Sequence, residues 1–260
     1  LVAFWALVAV RGTPLPSDPA RLLPFVAAGI LYPAAFRLLY YAAIDRVGAA
    51  ISSALVTANP VVAVALATVV FGAAISPAAV VGLLAVVGGG VLLQFARSAA
   101  DTGTSDPVLA ALGDAPPRAF AYPVGAALAV GVGYVLVDWG LAGLPRPALG
   151  TAITQTTALG VFLGAGAVSP ARRRTARAVW SHPAALAAFV AAGVLVAGAW
   201  LGQFAALRAG EVVVVLPLIY TYPLLVVGAT YAAAGTRPRS PRLLAAVVAI
   251  VGGVALTQVA

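Results

Sequence analysis

The sequence contains no cysteine and no lysine, only one histidine, and only 8% charged residues among its 260. Without cysteine there are no disulfide bonds and no thiol chemistry. Seven acidic residues, scattered mostly through loops, and one histidine argue against an enzyme, which needs clustered carboxylates, a metal set or a nucleophile beside a base. We therefore expect no catalytic residues, no metal and no cofactor. Soluble domains use about 25% charged residues, so the low charge also argues against a water-soluble fold.

Apolar residues are abundant instead: 63% of the chain is hydrophobic and the mean hydropathy is +1.06. A soluble core cannot bury so much apolar surface, so lipid must be the solvent. Lipid satisfies no backbone groups, and the alternating pattern of barrel strands is missing, so the spans must be helices. All fifteen positive charges are arginines placed between apolar runs. We expect a multi-pass protein of the cell membrane, with the bilayer as a partner and no binding to nucleic acid.

The apolar runs are separated by short segments rich in proline, glycine and charge. Residues 1–10 are too short to span a bilayer, which takes roughly 20 residues, and are interpreted as the end of a longer helix. Membrane helices are expected over about 22–44, 47–72, 77–96, 119–142, 147–168, 183–207, 210–234 and 243–259.

Glycine and proline positions repeat along the chain. Five residues recur 163 positions later, and they are Pro60, Gly72, Gly89, Gly90 and Val91, matched by Pro223, Gly235, Gly252, Gly253 and Val254. Since these residue types determine backbone geometry, their register indicates two copies of one structural unit. We predict a first repeat over 1–96, a linker over 97–118 and a second repeat over 119–260.

The repeat offset also predicts a helix count. If the second repeat begins near Arg118, the first begins about 45 residues before Leu1, with one helix and most of another in that stretch. Each repeat then has five helices. Because five is odd, the two repeats must cross the membrane in opposite orientations, which is an inverted-repeat fold of ten helices. Such halves can rock about a central site, so alternating access is the expected mechanism.

The repeated motifs resemble the EamA-like family of the drug/metabolite transporter superfamily. They read YYAAIDRVGAAISSALVTANP, FGAAISP and VVGGGVLL in the first repeat, and QFAALRAGEVVVVLPLIYTYP, AAGTRPRSP and IVGGVALT in the second. The resemblance implies a ten-helix carrier for a small organic metabolite or drug-like solute. It departs from the family in one respect, since the glutamate common after the glycine of each second motif is replaced by Ala73 and Thr236.

Arg37 and Asp138 are the charged candidates for solute binding. A cation within a span costs about 2.5–3.5 kcal/mol on insertion scales, so Arg37 either faces a cavity and binds an anion or acid, or extends to the interface beside Tyr40 and Tyr41. Asp138 is its predicted partner or a cation site, although it lies near a helix end.

The uncharged candidates lie at predicted helix breaks and on polar helix faces. Proline frees a carbonyl that can line a cavity, so the Asn59-Pro60 and Tyr222-Pro223 steps are expected to be kinks. Gln155 belongs to a threonine-rich patch that also suits bonding between helices. Trp200 is either an interface anchor or a ring that stacks on solute. The complete predicted set is Arg37, Asn59, Asp138, Gln155, Trp200, Tyr220 and Tyr222.

Arginines are concentrated in alternate loops, and the positive-inside rule places these loops in the cytoplasm. This places Ala260 outside, whereas the family resemblance implies that both termini lie inside, so the orientation stays open.

The glycine runs 88–90 and 252–253 are expected to be close-packing surfaces. The favoured function is a secondary transporter that uses no ATP. The alternative is a membrane scaffold or sensor that transports nothing, and a homodimer is compatible with either. The alternate loops that the positive-inside rule places in the cytoplasm contain Arg46, Arg97, Arg118, Arg172, Arg173, Arg174, Arg177, Arg237, Arg239 and Arg242.

Overall fold

The computed structural model describes residues 1–72, 75–102, 116–168, 182–210, 212–221, 225, 228–229 and 241–259. All regular secondary structure within these residues is helical. Two short 3-10 turns, Pro19–Leu22 and Pro117–Phe120, precede longer helices. The α-helices are α1 Val2–Val10, α2 Leu23–Gly29, α3 Phe36–Val47, α4 Ala49–Val56, α5 Asn59–Phe71, α6 Pro77–Thr102, α7 Ala121–Gly143, α8 Pro147–Val168, α9 Pro183–Ala209, α10 Val212–Ile219 and α11 Pro241–Val259.

Several of these helices are long and apolar enough to cross a bilayer. Helix α9 shows the strongest signal, because its most apolar window has a mean hydropathy of 2.2 and only 6% of that window is buried. Side chains such as Phe189 and Leu195 are exposed along it, which only a lipid environment accommodates at low cost. The expectation of an all-α membrane protein is thereby confirmed. Within the described residues the candidate spans are Pro19–Val47, Ile51–Val70, Pro117–Gly143, Pro147–Ala167 and Pro183–Ala209.

Proline marks the starts of α6, α8, α9 and α11, where its missing N–H costs nothing and its fixed φ suits the first helical turn. The predicted range 147–168 agrees with α8. The predicted end of the helix at 96 is wrong, because α6 continues to Thr102. Polar residues do not stop a helix, and the next glycine is Gly103.

The span Pro19–Val47 is broken, although the sequence predicts one continuous helix over 22–44. A wide-turn π segment, Ile30–Ala35, separates α2 from α3, and Tyr32 within it has φ −134° and ψ 103°, outside the helical region. A residue that precedes proline is disfavoured in the α conformation, and Tyr32 precedes Pro33. The Tyr-Pro step therefore interrupts the helix in the middle of the span.

The predicted helix 47–72 is divided into α4 and α5. Helix α4 ends at Val56, a turn follows, and α5 begins at Asn59 with Pro60 in its first turn. The predicted kink at the Asn59-Pro60 step is confirmed. In the predicted range 210–234, α10 ends at Ile219 and a turn follows at Tyr220. The Tyr222-Pro223 step lies outside the described residues.

The described chain forms two compact units. The first unit contains residues Leu1–Ala34 and Leu136–Ala209, and the second contains Ala35–Val135 and Gly210–Ala260. Each unit draws residues from both predicted repeats. The repeat boundaries at 1–96 and 119–260, with the linker at 97–118, therefore stay a prediction.

Helices α6 and α11 pack closely within the second unit. A Cβ atom added to Gly82 would lie 2.5 Å from the carbonyl oxygen of Gly253, and one added to Gly253 would lie 2.5 Å from the carbonyl oxygen of Gly82. Two turns after Gly82 in α6, a Cβ atom added to Gly89 would lie 2.8 Å from the Ile250 side chain. Glycine thus lets the two backbones approach one another, as small residues do between membrane helices.

The predicted close-packing role of the glycine runs is confirmed for Gly89, Gly90 and Gly253. It is wrong for Gly88 and Gly252, because a Cβ atom added to either would have no heavy atom within 4 Å among the described residues. The reason is geometric. Consecutive residues of a helix point about 100° apart, so only part of a glycine run can face one neighbour.

Candidate functional site

An aromatic cluster lies beside the break in the first unit. The ring centroids of Tyr32 and Trp200 are 4.9 Å apart, and those of Trp200 and Phe204 are 6.0 Å apart. Phe204 in turn stacks on Phe25 at 6.4 Å. Trp200 is only 6% exposed, which does not fit the interface-anchor alternative. The non-helical backbone at Tyr32 therefore places its ring against a buried tryptophan of α9.

Helix α2 is held tightly against α8, and this contact positions the break. A Cβ atom added to Gly140 or Gly150 would lie within 2.8 Å of the Phe25 ring, so these glycines make room for it. The Thr154 hydroxyl donates a hydrogen bond of 3.2 Å to the Phe25 carbonyl oxygen. Close packing and a buried hydrogen bond therefore fix the segment that leads into Tyr32.

Two glutamine side chains of the first unit have buried amide groups without a hydrogen-bond partner. They are Gln155 of α8 and Gln203 of α9, and in each the Nε2 atom is buried and unpartnered among the described residues. An unsatisfied buried polar group costs about 1–3 kcal/mol, so such groups in a folded protein call for an explanation. Gln203 follows Trp200 by three residues, which places the two on one face of α9.

The other polar side chains of the α8 patch are occupied. Thr151, Thr156 and Thr157 donate to carbonyl oxygens one turn earlier in α8. Thr156 also accepts a 3.0 Å hydrogen bond from the Trp5 indole N–H. Gln155 thus differs from its neighbours, whose hydroxyls serve the helix itself or bonding between helices.

Asp138 lies in α7 and is partly buried within the first unit. The next residue, Trp139, is 56% exposed. It lines a cavity of about 520 Å³ together with Asp18 and Arg21. Arg37 belongs to the second unit, so its predicted pairing with Asp138 stays a prediction.

The helix break in the second unit is bridged by Asn59. In a continuous helix the Val56 carbonyl oxygen would accept from the N–H of residue 60, but Pro60 has none. The Asn59 Nδ2 atom donates to that oxygen instead, at 2.7 Å. The Tyr220 hydroxyl donates to Asn59 Oδ1 at 2.6 Å. Both ends of this amide, which is 1% exposed, are therefore used, and the ends of α4 and α10 are tied together through it.

Arg37 lies in the first turn of α3 and is partly buried. Among the described residues, no hydrogen bond or ion pair joins its guanidinium group. Tyr40 lies three residues after Arg37. Its hydroxyl is 2.8 Å from the Ser53 hydroxyl, and its ring stacks on that of Phe36. The cavity-facing and interface interpretations of Arg37 therefore both stand.

The structure brings Asn59 and Tyr220 into contact in the second unit, and it places Gln155 and Trp200 on packed helices of the first. Tyr222 lies outside the described residues. Sequence reasoning missed Tyr32 and Gln203. A Tyr-Pro step within a span was the available signal for the first, and spacing from Trp200 was the signal for the second. In the part of the chain that the structure describes, no group of acidic or histidine residues could hold a metal ion.

Broken, apolar helices with isolated buried polar groups define a polytopic α-helical membrane protein. Residues 1–95 match the model of the EamA-like transporter family, which confirms the resemblance seen in the motifs. The EamA-like family is part of the drug/metabolite transporter superfamily. The match indicates a membrane transporter of the drug/metabolite type, in a family that is generally non-enzymatic.

Solved structures have the same fold. One protein crystal structure superimposes with a TM-score of 0.73 over 99% of this chain and 84% of its own, at 21% sequence identity. At this identity the likeness establishes the fold alone. A search of curated proteins found no match.

Proposed function

We propose that the protein is a secondary transporter of the cell membrane that moves a small organic metabolite or drug-like solute by alternating access. The observation that carries the proposal is the EamA-like match over residues 1–95. That stretch contains two helix breaks, at Ile30–Ala35 and before Asn59. Broken helices at membrane depth are a feature of carriers, since they supply polar backbone groups and points at which a span can bend.

The solute contacts that we propose lie in the first unit, around Trp200, Gln155 and Gln203. Trp200 with Tyr32 offers an aromatic surface for the apolar part of a solute. The two unpartnered glutamine Nε2 atoms offer hydrogen-bond donors that no described residue uses. A solute with acceptor oxygens on an apolar body would satisfy both kinds of group.

The other predicted contacts have different support. The Tyr220 hydroxyl donates to Asn59 Oδ1 and Asn59 Nδ2 donates to the Val56 carbonyl oxygen, so we propose that Asn59 and Tyr220 join solute binding only when the break opens. Arg37 and Asp138 remain proposed contacts for charged groups of the solute. Tyr222 remains proposed from its sequence position alone. Energy for transport would come from an ion or solute gradient.

The test begins with the full chain purified in detergent. A panel of amino acids, organic acids and aromatic amines is screened for compounds that raise the melting temperature, because a ligand that binds the folded state stabilises it. The most stabilising compound is then radiolabelled and assayed for counterflow in proteoliposomes. We expect exchange of labelled for unlabelled solute across the bilayer.

Variants separate the proposed site from general effects. Trp200→Ala and Gln155→Leu should each weaken solute binding about fivefold or more, the effect of losing a net interaction of about 1 kcal/mol. Trp139→Ala is the matched control, because that tryptophan is exposed and outside the cluster. Binding without counterflow would favour a sensor. Equal affinities for wild type, Trp200→Ala and Gln155→Leu would contradict the proposed site.

A further inference from the structure

The second unit contains a pocket of about 320 Å³. Its lining residues are Arg46, Pro116, Arg118, Ala119 and Tyr122. Two of these five carry a positive charge, and among the residues that the structure describes no acidic side chain lines the pocket. The pocket therefore has the electrostatic character of an anion site.

Arg46 is held in place by two contacts. Its guanidinium carbon lies 4.0 Å from the centroid of the Tyr122 ring, a cation–π arrangement. Its Nη1 atom donates to the Ala42 carbonyl oxygen at 2.8 Å. These contacts orient the guanidinium plane and use one of its five N–H donors. The preceding acid, Asp45, is exposed and is not among the lining residues.

A small apolar core brings the two arginines to one place. Val47, which follows Arg46, packs with Ala119, which follows Arg118, in a buried cluster. Because neighbours in sequence are fixed by this packing, the turns that carry the arginines cannot drift apart while the cluster is intact. Arg118 itself is exposed, so its charge can reach a ligand from the solvent side.

The pocket also lies at the ends of two candidate membrane spans. Arg46 is next to the end of the span Pro19–Val47, and Arg118 is in the first turn of the span Pro117–Gly143. The ends of spans lie at the level of lipid headgroups, where arginine and tyrosine are favoured. Any ligand that enters there shares this level with the phosphate groups of the bilayer.

We propose that this pocket binds the phosphate group of an anionic ligand. Guanidinium groups bind phosphate with charge-assisted and often bidentate hydrogen bonds, and two arginines line this pocket. The phosphate can come from an anionic phospholipid headgroup or from free phosphate in solution. This proposed phosphate binding is inferred from the pocket alone and does not depend on the proposed transport activity.

The experiment uses the full chain in detergent and follows its melting temperature against ligand concentration. The probes are dioctanoyl phosphatidylglycerol, the net-neutral dioctanoyl phosphatidylcholine, and inorganic phosphate. We expect stabilisation by an anionic probe that exceeds that by phosphatidylcholine. Arg46→Ala and Arg118→Ala should each weaken its binding about tenfold or more, since bonds to charged groups are worth about 1.5–3 kcal/mol.

Arg242→Ala is the matched control, because Arg242 is exposed, belongs to the same unit and the same predicted membrane side, and does not line the pocket. Its affinity should equal that of wild type. Arginine-dependent binding of phosphatidylglycerol alone identifies lipid as the source, and arginine-dependent binding of inorganic phosphate identifies free phosphate.

The proposal is overturned if neither anionic probe stabilises the protein, or if Arg242→Ala weakens binding as much as Arg118→Ala. Melting temperatures without ligand show whether each variant folds. The Arg118 side chain makes no hydrogen bond with a described residue, so the Arg118→Ala variant keeps the test decisive if Arg46→Ala is unstable.

Discussion

The hydrogen bond between Tyr220 and Asn59 should contribute measurably to stability. Tyr220→Phe keeps the ring and removes the O–H that donates to Asn59 Oδ1 at 2.6 Å. Asn59 is 1% exposed, so water does not reach the oxygen that is left without a donor. Leaving a buried acceptor unsatisfied costs about 1–3 kcal/mol, and we expect the free energy of unfolding to fall by that amount.

A double-mutant cycle isolates the pair. Asn59→Ala should cost more than Tyr220→Phe, because it also removes the donor to the Val56 carbonyl oxygen at the break. In the double variant Asn59 Oδ1 is removed together with the Tyr220 hydroxyl, so no buried acceptor is left unsatisfied. The losses in unfolding free energy from the two single variants should therefore not add. Coupling energies between membrane helices average about 0.6 kcal/mol and reach about 1.7 kcal/mol, which is the expected range.

The assay is reversible unfolding by sodium dodecyl sulfate in mixed micelles, followed by far-ultraviolet circular dichroism, for wild type, both single variants and the double variant. Tyr41→Phe is the control, because it removes the same hydroxyl from a tyrosine that is 61% exposed, and it should change stability by less than about 0.5 kcal/mol. If Tyr220→Phe behaves like Tyr41→Phe and the coupling energy is zero, the bridging of this break by Asn59 and Tyr220 is refuted.

Two glycine pairs give further predictions for the same unfolding assay. Gly253→Ala should destabilise the protein by about 1–3 kcal/mol, because its Cβ would lie 2.5 Å from the Gly82 carbonyl oxygen. The adjacent Gly252→Ala should be neutral, because its Cβ meets no described atom within 4 Å, and equal effects of the two variants would contradict the α6–α11 packing. Gly48→Ala should cost about 1–3 kcal/mol through backbone strain alone, since Gly48 has φ 82° and ψ 161° and open space around it. Gly88→Ala, helical and equally unobstructed, should cost nothing, and a loss as large as that of Gly48→Ala would show that strain is not the cause.

Helix positions were largely predictable because the signals for them are local. Proline at the first position of α8 and α9 and the apolar length of each run placed these helices correctly. The break at Tyr32 was equally local, but hydropathy does not register it, since the segment stays apolar throughout. Only the rule for residues that precede proline could have located it.

The candidate site was less predictable because helix rotation is not encoded by hydropathy in lipid. Along a soluble helix the polar face identifies the exposed side, but a helix such as α9 is apolar along most of its length and has no polar face. The sequence could therefore mark Gln155 and Trp200 as unusual residues but could not show that Tyr32 lies against Trp200, or that Gln203 shares its face.

Composition and the register of proline and glycine determined by themselves that this chain is helical, lies in a membrane and resembles EamA-like carriers, because transfer into lipid and backbone geometry depend on each residue and its near neighbours. Tertiary structure alone decided that Tyr220 bonds to Asn59, 161 residues away, and that Gly253 packs on α6 while Gly252 does not. Those outcomes depend on how each helix is rotated toward its neighbours, and that rotation is set by many weak contacts that only the folded chain brings together.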